Sequence, residues 1–215
     1  AVCAFACSLG AVGLILAISR LRGFSPASIV LTGTALSALC SAGTTLLQYF
    51  GDETQIASAV FWTFGDLGRV SWSENAILAA VTAVCLLIFL LMRWSCNALW
   101  SGEETARGLG VGASRVRLLG LVTASLLPAV CVSFMGMIGF LGLVGPQLAR
   151  RIIGGDHRFL IPASALSGAA LLLLSDVCAR TVIPPVVLPV GAITSLLGAP
   201  AFFILLLKGT RPHEA

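Results

Sequence analysis

Apolar stretches alternate along the chain with shorter polar ones, at residues 1–19, 27–50, 75–93, 116–135, 137–153, 160–180 and 188–208. Each is long enough to cross a hydrocarbon core of about 30 Å as a helix, allowing for fraying and tilt. The pattern predicts an all-α, polytopic membrane helix bundle of about seven spans, a single transmembrane domain over residues 1–215 with the lipid bilayer as its solvent.

Basic residues sort onto alternate polar intervals. Arg20 and Arg22, then Arg93, Arg107, Arg115 and Arg117, then Arg150, Arg151 and Arg158, and finally Lys208 and Arg211 make up eleven of the thirteen. Loops rich in Lys and Arg stay in the cytoplasm, so these intervals and the C-terminus are expected there. The opposite intervals hold only Arg69 and Arg180, accompanied by Asp52, Glu53, Asp66, Glu74 and Asp176, and are expected outside. Seven spans ending in the cytoplasm place Ala1 outside. The chain also opens inside an apolar run, with no Met, basic n-region or cleavage motif, so further N-terminal spans are expected to precede it.

Composition agrees with the pattern: 58% of residues are apolar and only 10% charged, far from the balance of a soluble domain. The net charge of +4 sits at the ends of apolar segments rather than in one patch, so nucleic acid is not an expected partner. The seven cysteines are an odd number, without CxxC or Cys/His spacing, and read as small packing residues rather than metal or redox groups.

Small residues recur where helices must approach: Gly33, Ser37 and Gly43, then Gly136, Gly139, Gly142 and Gly145 at three-residue spacing. Gly139 and Gly142 beside Pro146 predict a bent or locally irregular span. Two readings stand: ordinary close packing, or a hinge or pathway lining formed by Gly139, Gly142, Pro146 and the adjoining Gln147.

Two intervals are more than connectors. Residues 51–74, GDETQIASAVFWTFGDLGRVSWSE, are too polar to span yet carry Ile56, Val60, Phe61, Trp62 and Phe64, which predicts a short amphipathic helix near the outer surface. Trp62 and Trp72 suit a water interface, and the segment either anchors there or lines an external vestibule. Residues 94–115, WSCNALWSGEETARGLGVGASR, are expected to hold one or two short helices at the cytoplasmic face. Ser101 with Glu104 matches a capping box, Glu103 and Glu104 suit the positive end of a helix, and Gly108 or Gly110 can stop it. Ala106 and Leu109 are then available to a partner. A simply solvated loop is the alternative.

No catalytic set emerges. His157 and His213 both fall in cytoplasmic intervals, paired acids occur only in loops, and no GxxxxGK[ST] phosphate loop is present. ATP, if it drives the process, binds another polypeptide. No acid sits deep within a span, since Asp176 lies near an external end, which argues against a proton-coupled carrier or an integral membrane enzyme, the alternatives from other classes.

The strings SGEETARGLGVGASRVRL, GMIGFLGLVGPQLARRIIGGDHRFLIPASALSGAALLLLSDVCAR and LPVGAITSLLGAPAFFILLL, with VLTGTALSALCSAGTTLL and FWTFGDLG before them, resemble the permeases of ATP-driven importers for iron siderophores, haem and vitamin B12. The resemblance covers essentially the whole chain. It implies a ten-span subunit in the bacterial inner membrane, lacking about its first three spans here, that carries no cofactor itself. It also implies a second permease, identical or different, ATPase subunits that bind the ATP, and an external substrate-binding protein. By the same resemblance, residues 101–112 form coupling helices on the ATPase, with Gly102, Glu103, Ala106, Leu109 and Gly110 as contacts and Glu104 beside them. Arg180, with Arg69 second, docks acids of the binding protein; a helix C-cap or a pair with Asp176 is the structural reading of Arg180. Ferric siderophore is the cargo the resemblance favours. This chain departs from the family pattern at Gln147, where the family commonly has histidine, and at Val187, where it commonly has glutamate.

Overall fold

The computed structural model describes residues 2–21, 26–183 and 187–208. Arg22, Arg211 and His213 lie outside the described residues, as does the side chain of Lys208. The order of elements is α1 (Val2–Leu21), α2 (Pro26–Phe50), α3 (Glu53–Thr63), a 3₁₀ turn (Leu67–Arg69), α4 (Trp72–Trp100), α5 (Glu103–Gly108), α6 (Ala113–Met135), α7 (Leu141–Ile153), α8 (His157–Thr181) and α9 (Val190–Lys208).

Five of these are long and apolar enough to cross a membrane: α1, α2, α4, α6 and α8. Two apolar segments of the sequence behave differently. The stretch 188–208 yields α9, whose apolar part, Val190–Leu205, is shorter. The stretch 137–153 is not one continuous helix. Its helical part is the 13-residue α7, which at about 1.5 Å per residue rises only about 20 Å and cannot cross a core of about 30 Å alone. The cause is local backbone geometry, because Gly136 (φ 78°) and Phe140 (φ 64°) adopt left-handed conformations that a right-handed helix excludes.

Helix starts follow side-chain chemistry in two clear cases. Ser71 and Glu74 form a reciprocal capping box at α4: the Glu74 N–H donates to Ser71 Oγ (3.4 Å) and the Ser71 N–H to Glu74 Oε2 (2.8 Å). Asp156 caps α8 by accepting the Arg158 N–H at 2.9 Å. The capping box expected of Ser101 and Glu104 does not form. Helix α4 continues past residue 93 to Trp100, so Ser101 becomes its C-cap in a right-handed helical conformation (φ −76°, ψ −2°), and its hydroxyl donates back to the Asn97 carbonyl. An N-cap needs extended backbone instead. Gly102 takes that place for α5, with no side-chain cap.

Helices α7 and α8 pack along each other, α4 and α1 lie against α6, α4 against α8, and α9 against α7 and α8. The residues sealed between them are mostly small: Ala113, Ala129, Ala149, Ala179, Ser133, Ser175, Thr123 and Thr194 are all buried. Large apolar side chains such as Leu31, Leu39, Leu47, Leu91, Leu166 and Phe203 point outward. Small inside and large outside is the packing expected where lipid removes any hydrophobic penalty for exposure and backbones must approach closely to gain contact.

Candidate functional site: a clamped loop helix and a glycine junction at opposite ends

At one end of the bundle, α5 stands between two glycines with positive φ, Gly102 (119°) and Gly110 (77°). Non-glycine residues are strained in this region, so both turns are fixed by residue type. The helix ends at Gly108, Leu109 is its C-cap, and the Val111 N–H returns to the Ala106 carbonyl at 2.9 Å. Glu103 is the clamp. One carboxylate oxygen accepts from Arg107 on the next turn at 2.9 Å, the other from Arg117 on α6 at 3.2 Å. All three side chains are substantially exposed, so the pairs orient α5 more than they stabilise the fold.

The residues nominated for a partner surface therefore divide. Glu104, Leu109, Gly102 and Gly110 are exposed, Leu109 at 68%. Ala106 is fully buried, which corrects the expectation that it is available to a partner; it is the point where α5 rests on the bundle. Glu103 is occupied internally by two arginines.

A second set at the same end escapes sequence reading. The Asn97 side chain, in the last turns of α4, donates from Nδ2 to Asp156 Oδ1 at 2.7 Å. Its Oδ1 accepts the His157 N–H at 2.9 Å and lies 2.8 Å from His157 Nδ1. Trp100 extends the contact, with the Arg150 guanidinium 4.7 Å above its ring and the His157 ring edge-on at 6.3 Å. Arg158 stacks on Trp94 at 4.8 Å. The end of α4 thus grips the turn between α7 and α8. The Asp156 carboxyl is held below its ordinary range, first by the Arg158 N–H and then by the Asn97 amide.

At the opposite end three non-helical strips meet. Phe64 bridges Met137 in parallel, the Asp66 N–H donates to the Met135 carbonyl, and the Val190 N–H donates to the Gly65 carbonyl at 2.9 Å. The strips approach so closely that only glycine fits: a Cβ on Gly65 would stand 2.7 Å from the Met137 carbonyl oxygen, one on Gly136 2.8 Å from that of Trp62, and one on Gly191 would also collide with Met137. Of these, Gly136 was legible as part of the glycine ladder, while Gly65 and Gly191 carried no local signal.

Arg180 and Arg69 flank this junction. Arg180 pairs with Asp176 one turn earlier (2.9 Å) and lies beside the turn at Gly68 that Asp66 caps. Arg69 is exposed and forms no ion pair among the described residues. It lines a cleft of about 380 Å³ with Phe61, Phe64, Asp66, Val187 and Leu188. Valine at position 187 adds no acid to that corner.

Of the four residues read either as close packing or as a hinge or pathway lining, three share the exposed side of α7 and Gly139 lies apart from them. Gly139 is half-buried, and a Cβ there would meet Ser195 Oγ of α9 at 3.0 Å, a packing position. Gly142, Pro146 and Gln147 lie on the exposed side of α7, opposite the buried Val144, Gly145 and Ala149. Between α7, α8 and α9 remains a cavity of about 50 Å³, lined by Phe140, Val144, Thr194 and Leu197 among others, far too small for a chelate. Among the described residues no three His, Cys, Asp or Glu side chains gather as a metal site.

The FecCD transport family matches residues 1–208. A Methanocaldococcus jannaschii protein whose name places it among ABC transporter permeases is 55% identical over 205 residues, covering 95% of this chain and 59% of that protein. The hemin transport system permease protein of Yersinia pestis is 39% identical, covering 95% and 61%, and the Fe(3+)-citrate import system permease protein of Bacillus subtilis is 38% identical, covering 91% and 58%. A solved structure of a metal-chelate type ABC transporter in an inward-facing conformation superposes with a TM-score of 0.83 at 34% identity, over 91% of this chain and 64% of the other. The chain spans about three fifths of the length of the curated relatives it matches. Five apolar helices of spanning length, the same fold in that transporter and a family match over almost every residue lead to one assignment: the chain belongs to the FecCD transport family.

Proposed function

We propose that this chain is a segment of the membrane-spanning permease subunit of an ATP-driven importer, moving an iron chelate, with ferric siderophore favoured and haem or cobalamin as related cargoes. The names of its relatives span hemin, Fe(3+)-citrate, iron hydroxamate and cobalamin import, which supports a bulky chelate as the class. The chain does no chemistry itself. ATP is bound and hydrolysed on separate ATPase subunits, and a second permease completes the pathway, with the exposed Gly142, Pro146 and Gln147 edge of α7 available to line it or meet that subunit.

The observation that carries the reading is α5: a six-residue helix fixed by two left-handed glycines, clamped by Glu103 to α6, and presenting Glu104 and an exposed Leu109 outward. A partner that moves this helix moves α4 and α6 with it. The ATPase is the partner that fits, and the α5 end is then cytoplasmic, as the distribution of arginines also argues. At the far end the external binding protein docks its acids on Arg69, which has no ion pair among the described residues, and on Arg180, which Asp176 partly engages.

The test is uptake into vesicles holding the full-length permease with its ATPase and binding protein, using haemin, ferric citrate and cyanocobalamin in parallel. Uptake of one of them that requires ATP and survives collapse of the proton gradient is expected. Uptake abolished by that collapse with ATP present would move the proton-coupled carrier to the front.

A further inference from the structure

We propose that Asn97 is the positioning residue through which displacement of α5 reaches α8, so that one side-chain amide couples the ATPase-driven loop to the helix that carries Arg180 in its last turn. The inference rests on the permease reading for its function and on geometry for its existence.

Two residues separate Asn97's helix from α5. The Ser101 N–H donates to the Asn97 carbonyl at 3.2 Å, the Gly102 N–H donates to the Leu99 carbonyl, and the Thr105 hydroxyl reaches back to the Ser101 carbonyl, so α5 is hydrogen-bonded directly to the end of α4. In that turn the Asn97 side chain crosses 59 residues of sequence to meet the start of α8. It uses both faces of its amide. Nδ2 binds the cap residue Asp156, and Oδ1 takes the His157 N–H, one of the four first-turn donors that no intrahelical carbonyl can satisfy. Because Oδ1 accepts, the hydrogen in the His157 contact sits on the ring Nδ1. A short amide is suited to this place because it supplies a donor to a carboxylate and an acceptor to a backbone N–H from one stiff stem.

The receiving helix suits transmission. At about 1.5 Å per residue the 25 residues of α8, His157–Thr181, rise about 37 Å and carry the pair Asp176–Arg180 near their far end, beside the glycine junction. Helix α7 moves with it, because Ser167 donates to the Gly145 carbonyl at 2.8 Å and the two backbones touch at Gly145. Trp100, packed on Arg150 and His157, adds bulk to the same grip but no directional bond across it. Hydrogen bonds with a fixed angle resist shear; a stacked ring slides. Asn97 is therefore the element of the contact that passes on displacement.

The chemistry allows a swap that separates coupling from stability. Asn97→Asp sets two carboxylates against each other and removes the donor that now binds Asp156. The double swap adds Asp156→Ser, whose hydroxyl oxygen accepts the Arg158 N–H and so keeps the cap of α8 while its proton is donated to the carboxylate at position 97. In the full-length permease with its ATPase and binding protein in vesicles, Asn97→Asp is expected to keep ATP hydrolysis within about twofold of wild type while cargo moved per ATP falls at least about fivefold. The double swap is expected to recover that ratio to within about twofold. A merely structural role would lower assembly and hydrolysis together with uptake, leaving the ratio unchanged. An unchanged ratio in Asn97→Asp, or a double swap that fails to recover it, overturns the proposal. Hydrogen exchange of the permease alone reads the contact without any transport: faster exchange in both α5 and the first turn of α8 in Asn97→Asp, reversed in the swap, is expected whatever the cargo or energy source. Exchange confined to α8, with α5 unaffected, overturns the linkage whatever the protein transports.

Discussion

Gly145 of α7 and Gly168 of α8 are in backbone contact: a Cβ on Gly145 would stand 3.2 Å from both Cα and N of Gly168, whereas one on Gly168 would meet nothing within 4 Å. The two glycines look alike in sequence and differ in what surrounds them. Gly145→Ala forces the helices apart and is expected to cost about 1–3 kcal/mol, the usual range for overpacking. Gly168→Ala enters open space and gains helix propensity, so it is expected to change stability by less than about 1 kcal/mol in the favourable direction. Thermal unfolding of the two variants in detergent, side by side, checks the asymmetry.

The glycine junction makes a harsher demand. Gly136→Ala combines a left-handed backbone (φ 78°), costing about 1–2 kcal/mol for an L-residue, with a backbone oxygen 2.8 Å away. Gly65→Ala meets a comparable oxygen at 2.7 Å without the backbone term. Both are expected to lower the unfolding midpoint, Gly136→Ala more. Gly142→Ala, at a helical position with nothing near, is the control expected not to lower it.

The helical class, the long apolar segments, the short helix after Asp52 and the short helix after Gly102 were all legible, because periodic apolarity and glycine punctuation are local signals. The features that sequence hides are those set by distant partners. Ser101 with Glu104 has the letters of a capping box, yet α4 runs on to Trp100 and leaves Ser101 in helical backbone. Ala106 looks like a small contact residue and is sealed against the bundle. Ser71 with Glu74, the box that does form, carries the full local signature, Ser-x-x-Glu before an apolar run. The Asn97 grip had half a signal, since Gly154, Gly155 and Asp156 before an apolar run announce a helix start. Its other half, 59 residues away, had none.

The clamp from Glu103 to Arg117 is an exposed pair, so Glu103→Gln is expected to change global stability by less than about 1 kcal/mol. Its effect is local. Amide exchange in Glu103–Gly108 should rise severalfold while α6 and α8 stay protected, and Glu103→Arg with Arg117→Glu should restore part of the protection. Exchange unchanged in Glu103→Gln would mean that the glycines and Ala106 alone hold α5.

Asp156 gives the same region a pH dependence. Its carboxyl is held below the ordinary aspartate value of about 3.9 by the Arg158 N–H and the Asn97 amide, so the folded state prefers the charged form. That contribution is complete above the ordinary value and is lost as pH falls through the lowered one. Protection of the first turn of α8, corrected for intrinsic exchange, is therefore expected to show an acid limb below about pH 4. In Asp156→Asn the acid limb should vanish.

The proposed role of α5 as the ATPase contact is tested by capture of the ATPase by the full-length permease, wild type against Glu104→Arg with Leu109→Asp. Both changes lie on the exposed side of α5 and spare the Glu103 clamp. The variant is expected to assemble in the membrane with wild-type thermal stability but to retain less than about a tenth of the ATPase, a loss of at least about 1.4 kcal/mol in binding. Undiminished capture by that variant would contradict that role and place the ATPase contact elsewhere on the chain.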